Sequence, residues 1–280
     1  MKTASIKLLK DYFSKRPDVL MAFIFGSYAK GHQMQESDFD VAVYLRGRRR
    51  SIEGDEEIDD EKESEIWFDV VNIVKKDVDL ICLNNAPASL VSQVIKTAIP
   101  LIIKDKKLYW EIYLKASLET EDFLKFAVDF WKIKKRAKSL TKEEKSRLLV
   151  RIDFWEGQIE ELFRFRNLTF KEYQEDIDKR RIIERWAENI INATIDIAKI
   201  ILASEKKSMP RTYEEALQNF GIFAGLTEKE AKRLSRFANL RNILAHEYLD
   251  ILYHKIQNFI KEIPTLYKKI SNFLEKYLKA

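Results

Sequence analysis

Apolar and polar positions change rhythm near residue 104 of this chain. Before that point, short apolar runs alternate with amphipathic stretches. Residues 20–25, Leu-Met-Ala-Phe-Ile-Phe, have the length and composition of a buried strand. Residues 38–45, 78–83 and 100–104 read as further strands, with Val41, Val43 and Leu45 in period-two alternation. Residues 4–14, a short piece from Ser27, 60–75 and 88–98 read as helices. This order predicts a small α/β (α+β) domain with a mixed sheet. After residue 104 the period is helical. One or two amphipathic helices span 110–140, and others cover 141–165, 176–204, 212–219 and 227–245. A last helix covers about 250–277, kinked at Pro264. Thr141 with Glu144 three residues on has the form of a capping box. Ile183, Trp186, Ile190, Ile191, Ile197 and Ile200 to Leu202 form one wide apolar stripe. The second half is therefore expected to be an all-α, up-and-down bundle. A length of 280 residues suits two domains, 1–138 and 139–280.

Composition narrows the setting. Hydrophobic residues make up 46% of the chain, enough for two cores. Fifty basic against 45 acidic residues leave a net charge of +5, a mild hint of nucleic acid and no footprint of it. The single cysteine, Cys82, excludes an internal disulfide and fits a reducing cytoplasm. It lies in an apolar strand and reads as a small buried hydrophobe. The lysine-rich start is not a signal peptide, and no apolar run is long enough to span a bilayer, so no membrane partner is expected. Residues 46–65 are almost wholly polar, and Arg46, Arg48, Arg49 and Arg50 are open to two readings. They are a solvated surface run or a hold on nucleic acid or a triphosphate.

The densest chemistry follows the first strand. Gly26 and Ser27 break it, Gly31 follows, and Asp38 and Asp40 open the next strand. Side chains on a strand have a period of two, so Asp38 and Asp40 share a face. Two carboxylates beside a Gly-Ser turn suit a metal-bound polyphosphate, with backbone N–H groups toward the phosphates and the carboxylates on Mg²⁺. Gly26, Ser27, Gly31, Ser37, Asp38 and Asp40 together resemble the nucleotidyltransferase signature of the polymerase-β-like superfamily, above all its minimal (MNT) members. The resemblance implies a third carboxylate on a later strand. Asp79, directly before an apolar run, is the better match, and Asp77 the fallback. Gly26, Ser27, Gly31 and Ser37 would then bind the nucleotide, and Asp38, Asp40 and Asp79 the metal. The resemblance continues through Asn84, Ala86 and Pro87, and departs from the family at Ala98, where many members have glycine.

A second motif lies in the helical half, Arg241-Asn-Ile-Leu-Ala-His246-Glu-Tyr248. Five residues on one helix turn about 140° and rise about 7.5 Å, so Arg241 and His246 do not stack. They could line one cleft if two such helices faced each other across a dimer. Histidine can act as general acid or base near neutrality, and arginine can hold a phosphate bidentately. The plainer reading is that Arg241 pairs with a carboxylate and His246 is structural. Arg241, His246 and Tyr248 match the Arg-x4-His-x-Tyr signature of the HEPN superfamily, in particular its HepT-like toxins. The resemblance extends over most of 141–280, including Arg185-Trp186-Ala187-Glu188 and the turn from Pro210 to Ala216. It implies a homodimer through the HEPN bundle and metal-independent endoribonuclease chemistry on RNA.

Together the two resemblances imply a fused toxin–antitoxin-like protein. In that family the MNT partner transfers AMP from ATP to the motif tyrosine, which here is Tyr248. The alternative expectation is a nucleotidyltransferase acting on a small, antibiotic-like molecule or on tRNA, with the bundle as a non-catalytic substrate-binding or dimerisation module.

Overall fold

The computed structural model describes residues 2–30, 39–46, 60–136, 140–246 and 252–279. They divide into two compact units, Met1–Glu121 and Asp122–Ala280.

The first unit runs α1 (Lys2–Lys15), β1 (Val19–Ile24), α2 (Gly26–Lys30), β2 (Phe39–Leu45), α3 (Asp60–Val74), β3 (Val78–Cys82), α4 (Ala88–Thr97), β4 (Ile99–Ile103) and the start of α5 (Lys106–Lys134). The sheet order is β3-β2-β1-β4. β1 is antiparallel to both β2 and β4, while β2 and β3 are parallel. This is the mixed sheet that the alternation predicts. Each face carries its own core. Leu9 and Phe13 of α1 and Ile66 and Val70 of α3 cover Val41, Val43 and Leu45 on one side. Val91, Val94 and Ile95 of α4 and Ala116 of α5 cover Ala42 and Tyr44 on the other. Period-two alternation along β2 thus serves two hydrophobic layers. Cys82 is buried in the first of them.

Asn84 finishes the sheet. Its Oδ1 accepts the Leu45 N–H at 2.8 Å and its Nδ2 donates to the Leu45 carbonyl at 3.1 Å. A side-chain amide so supplies the pairing that a further strand residue would have made, and no buried backbone group is left open there.

The second unit takes the rest of α5, then α6 (Lys142–Glu160), a 3-10 turn (Glu161–Arg164), α7 (Phe170–Glu175), α8 (Ile177–Ser204), α9 (Tyr213–Phe223), α10 (Glu228–His246) and α11 (Tyr253–Lys279). The units meet inside α5 because its first half covers the sheet and its second half, with Phe126 and Phe130, is buried in the bundle. The sequence-based boundary of 138/139 lies where that helix has already ended. The Thr141–Glu144 capping box is present. Every member of the α8 stripe is buried, from Ile183 to Leu202. Pro264 sits inside α11 without ending it. The 3-10 turn and α7 were not expected. Thr169 and Glu172 cap α7 reciprocally, which lets so short a helix stand. Among the described residues no helix is long and apolar enough to cross a membrane.

One hydroxyl ties the bundle core. Thr194 Oγ donates to the Ile190 carbonyl at 2.8 Å and accepts Trp155 Nε1–H at 3.0 Å. Its only proton is thereby used, so the Tyr267 hydroxyl, 3.1 Å away, is the donor in that contact. Trp155 and Tyr267 also meet edge to face, with centroids 4.9 Å apart. Thr194→Val should therefore leave two buried donors without an acceptor and destabilise the bundle by about 2–4 kcal/mol. Urea unfolding followed by tryptophan fluorescence checks this. An unchanged midpoint would show that the hydroxyl is dispensable.

Candidate functional sites

The first site sits where β1 ends and β2 begins. Gly26 takes φ +67°, in the left-handed region open to glycine. A Cβ at this position would lie 1.9 Å from Oδ2 of Asp40. Only a residue without a side chain therefore lets the Asp40 carboxylate occupy its place. Asp40 is held by its backbone, since its carbonyl accepts the Phe25 N–H at 3.1 Å. On the other side β2 pairs in parallel with β3, and Asp40 is in register with Asp79. Residues in register on adjacent strands point the same way, about 4.8 Å apart along the hydrogen-bonding direction. The two carboxylates thus stand side by side on the face shared with Ala42 and Tyr44. Asp40 is half-buried and Asp79 exposed. Asp77, the fallback, precedes β3 and is exposed, and its carbonyl accepts the Phe39 N–H at 2.8 Å.

Neighbouring like charges suit a hard cation, which carboxylate oxygens can share. Asp40 and Asp79 fit such a group, and the bare backbone of Gly26 leaves room for the Asp40 carboxylate. Ser27 follows Gly26 within α2. Gly31, Ser37 and Asp38 lie outside the described residues. Among the described residues no set of three metal-ligating side chains occurs, and those on this face that bear on the site are Asp40 and Asp79. The sequence did not expose Lys76, whose Nζ donates to the Tyr28 hydroxyl at 2.9 Å beside α2.

The second site is built around Arg241 in α10. Its Nε donates to Oδ1 of Asn192, on α8, at 2.9 Å. Its Nη1 forms an ion pair with the Asp122 carboxylate, on α5. Its guanidinium lies over the ring of Tyr213, on α9, 5.2 Å from the centroid. The Tyr213 hydroxyl donates to the Asp122 carbonyl at 3.2 Å. Burial, and then the Asp122 charge, push the Tyr213 phenol above its ordinary pKa, so it stays a neutral donor. The Arg241 side chain is only 12% exposed, against 32% for Asp122. His246 is the last residue of α10, and Tyr248 lies outside the described residues. Sequence reading did not single out Asp122 or Asn192, and it touched Tyr213 only as part of the turn from Pro210 to Ala216. Asp122 and Asn192 are far from Arg241 along the chain and carry no motif of their own.

Known proteins resemble both halves. Residues 7–107 match the family described as polymerase beta, nucleotidyltransferase. Residues 155–273 match the family described as ribonuclease HepT-like. The tRNA nuclease HepT of Aphanizomenon flos-aquae (strain 2012/KM1/D3) is 30% identical over 120 residues, covering 41% of this chain and 82% of that protein. Among solved structures, a toxin–antitoxin with AMP-PNP is 24% identical, with 44% of this chain and 88% of that one covered and a TM-score of 0.34. A tri-AMPylated Shewanella oneidensis HEPN toxin in complex with MNT antitoxin is 18% identical, with 44% and 89% covered and a TM-score of 0.34. The nuclease, matched over most of its own length, and the two family matches lead to one assignment: the chain belongs to the HepT-like (HEPN) family and carries a nucleotidyltransferase domain of the polymerase β type on the same polypeptide.

Proposed function

We propose that the first unit is an adenylyltransferase that modifies and silences a ribonuclease formed by the second. The observation that carries this reading is the in-register pairing of Asp40 with Asp79 against the bare backbone of Gly26. Asp38, Asp40 and Asp79 would hold Mg²⁺, with Gly26, Ser27, Gly31 and Ser37 around ATP. The metal, when bound, offsets charge that develops on the phosphates during transfer. The acceptor is the Tyr248 hydroxyl, of the same chain or a second copy. Its oxygen bonds to the α-phosphorus of ATP, the bond from that phosphorus to the bridging oxygen breaks, and pyrophosphate leaves with the electron pair. The phenol proton passes to a carboxylate of the aspartate set.

On the ribonuclease side, His246 would move the proton in RNA cleavage, and Arg241 would hold the reacting phosphate. Neither role calls for a metal. The similar HepT protein is a tRNA nuclease, which makes tRNA the substrate class to test. Homodimerisation through the bundle would bring a second Arg241 and His246 to the cleft. An adenylyl group on Tyr248 adds a bulky anion two residues from His246. It would obstruct RNA by occupancy and by like-charge repulsion.

Incubation with Mg²⁺ and ATP should add AMP to the Tyr248 peptide, as read by intact and peptide mass. Asp40→Asn or Asp79→Asn should slow the addition by about a hundredfold or more. Addition at an undiminished rate would remove these carboxylates from the reaction, and modification elsewhere would remove Tyr248 as acceptor. Gly26→Ala should slow transfer by about tenfold or more, because its methyl displaces the Asp40 carboxylate. Unmodified protein should cleave tRNA in EDTA, and His246→Ala should lower that rate by about a hundredfold or more. Cleavage that survives His246→Ala at full rate would sink the ribonuclease reading.

A further inference from the structure

Arg241 is held more fully than burial alone demands. A guanidinium carries five N–H donors in a rigid plane. Nε is engaged by Asn192, Nη1 by Asp122, and one face by Tyr213. These groups come from α8, α5 and α9, so three helices other than its own define the tilt and rotation of the plane. Among the described residues Nη2 has no hydrogen-bond partner. A counter-ion serving neutralisation alone would need neither the amide on Nε nor the ring beneath. Asp122 itself lies outside both stretches matched by the two families, 7–107 and 155–273.

We propose that Asp122 is the positioning residue for Arg241. Its carboxylate, with the Asn192 amide, holds the guanidinium so that Nη2 is presented to the phosphate of the RNA to be cut. The inference rests on the ribonuclease reading of Arg241 and His246 given above. A free arginine side chain carries rotamer entropy, and a phosphate that orders it must work against that loss. Here the ordering is done in the folded protein, before RNA arrives. Two of the three guanidinium nitrogens are spent on the protein, so the phosphate meets one nitrogen in one orientation. Position is then what Asp122 supplies. Its negative charge, close to the incoming phosphate, adds nothing to attraction.

Variants of Asp122 separate this role from two others. Cleavage of tRNA by the full, unmodified chain in EDTA should show Asp122→Ala lowering kcat by about tenfold or more with KM within about threefold. Asp122→Asn keeps an acceptor for Nη1 and should stay within about threefold of the parent. Asp122→Glu keeps the charge, displaces the carboxylate and should lower kcat as well. Asp122→Ala on top of Arg241→Ala should cost nothing further, since the two act as a unit. If Arg241→Ala abolishes cleavage while Asp122→Ala matches or exceeds the parent, Asp122 does not position the arginine and the ribonuclease reading stands. If Arg241→Ala leaves cleavage intact, the ribonuclease reading of Arg241 falls instead. Phenylglyoxal labelling of Arg241, read by peptide mass, decides the point without turnover. Labelling should rise in Asp122→Ala and stay near the parent rate in Asp122→Asn. Equal labelling of parent and Asp122→Ala would overturn the proposal.

Discussion

Parallel strands cannot be joined by a tight turn, so the chain between β2 and β3 must cross over, and α3 lies on that crossover. What the crossover achieves is register. Because Asp40 pairs with Asp79, two residues distant in sequence become neighbours on one face, with their charges side by side. The remaining features follow from accommodating that pair. The strand before it must end without a side chain, hence Gly26 at positive φ. The hydrophobic core on that face must stop short of it, and on β2 it does so at Ala42. Paired carboxylates and packing share one sheet face and divide it along the strand.

The helical unit handles polarity differently. Around Thr194, buried polar groups satisfy one another and serve only the core. Around Arg241, a nearly buried cation is matched by a carboxylate, an amide and a ring, each from another helix. An unmatched charge at that depth would cost far more than a matched one, because burial removes its hydration. The two clusters show one bundle closing neutral polar groups on one another at its centre and matching a charge elsewhere.

Much of this was legible in advance. Alternation along 38–45 marked a strand, and the α8 stripe marked a helix buried on a wide arc; that both faces of the strand are covered is a finding of the structure. Parity along the Asp-x-Asp spacing predicts a shared face for Asp38 and Asp40, and of the two only Asp40 lies within the described residues. Preference for Asp79 over Asp77 came from its place at the edge of an apolar run, where it stands in register with Asp40. Helix α7 was invisible because six residues are too few to show a period, and its stability comes from a reciprocal cap. The Asp122, Asn192 and Tyr213 cradle was invisible for another reason. Helical periodicity says which side of a helix faces inward, but not which residues of which other helix it will meet. The unit boundary shows the same limit, since α5 is one uninterrupted helix and only tertiary packing divides it at Glu121.

The Asn84 clamp on Leu45 has a bearing on the site at the opposite end of the same strand. Side chains on a strand alternate strictly, so a slip of one residue would turn every group on β2 to the other face. Asp40 would then point into the apolar layer of α1 and α3, and Val41 would take its place beside Asp79. Asn84 pairs with both backbone groups of Leu45, five positions from Asp40, and moors that end of the strand beside β3, while Val41, Val43 and Leu45 choose the face that is buried against α1 and α3. A buried amide thus anchors the strand, and the apolar alternation beside it serves as the reading frame.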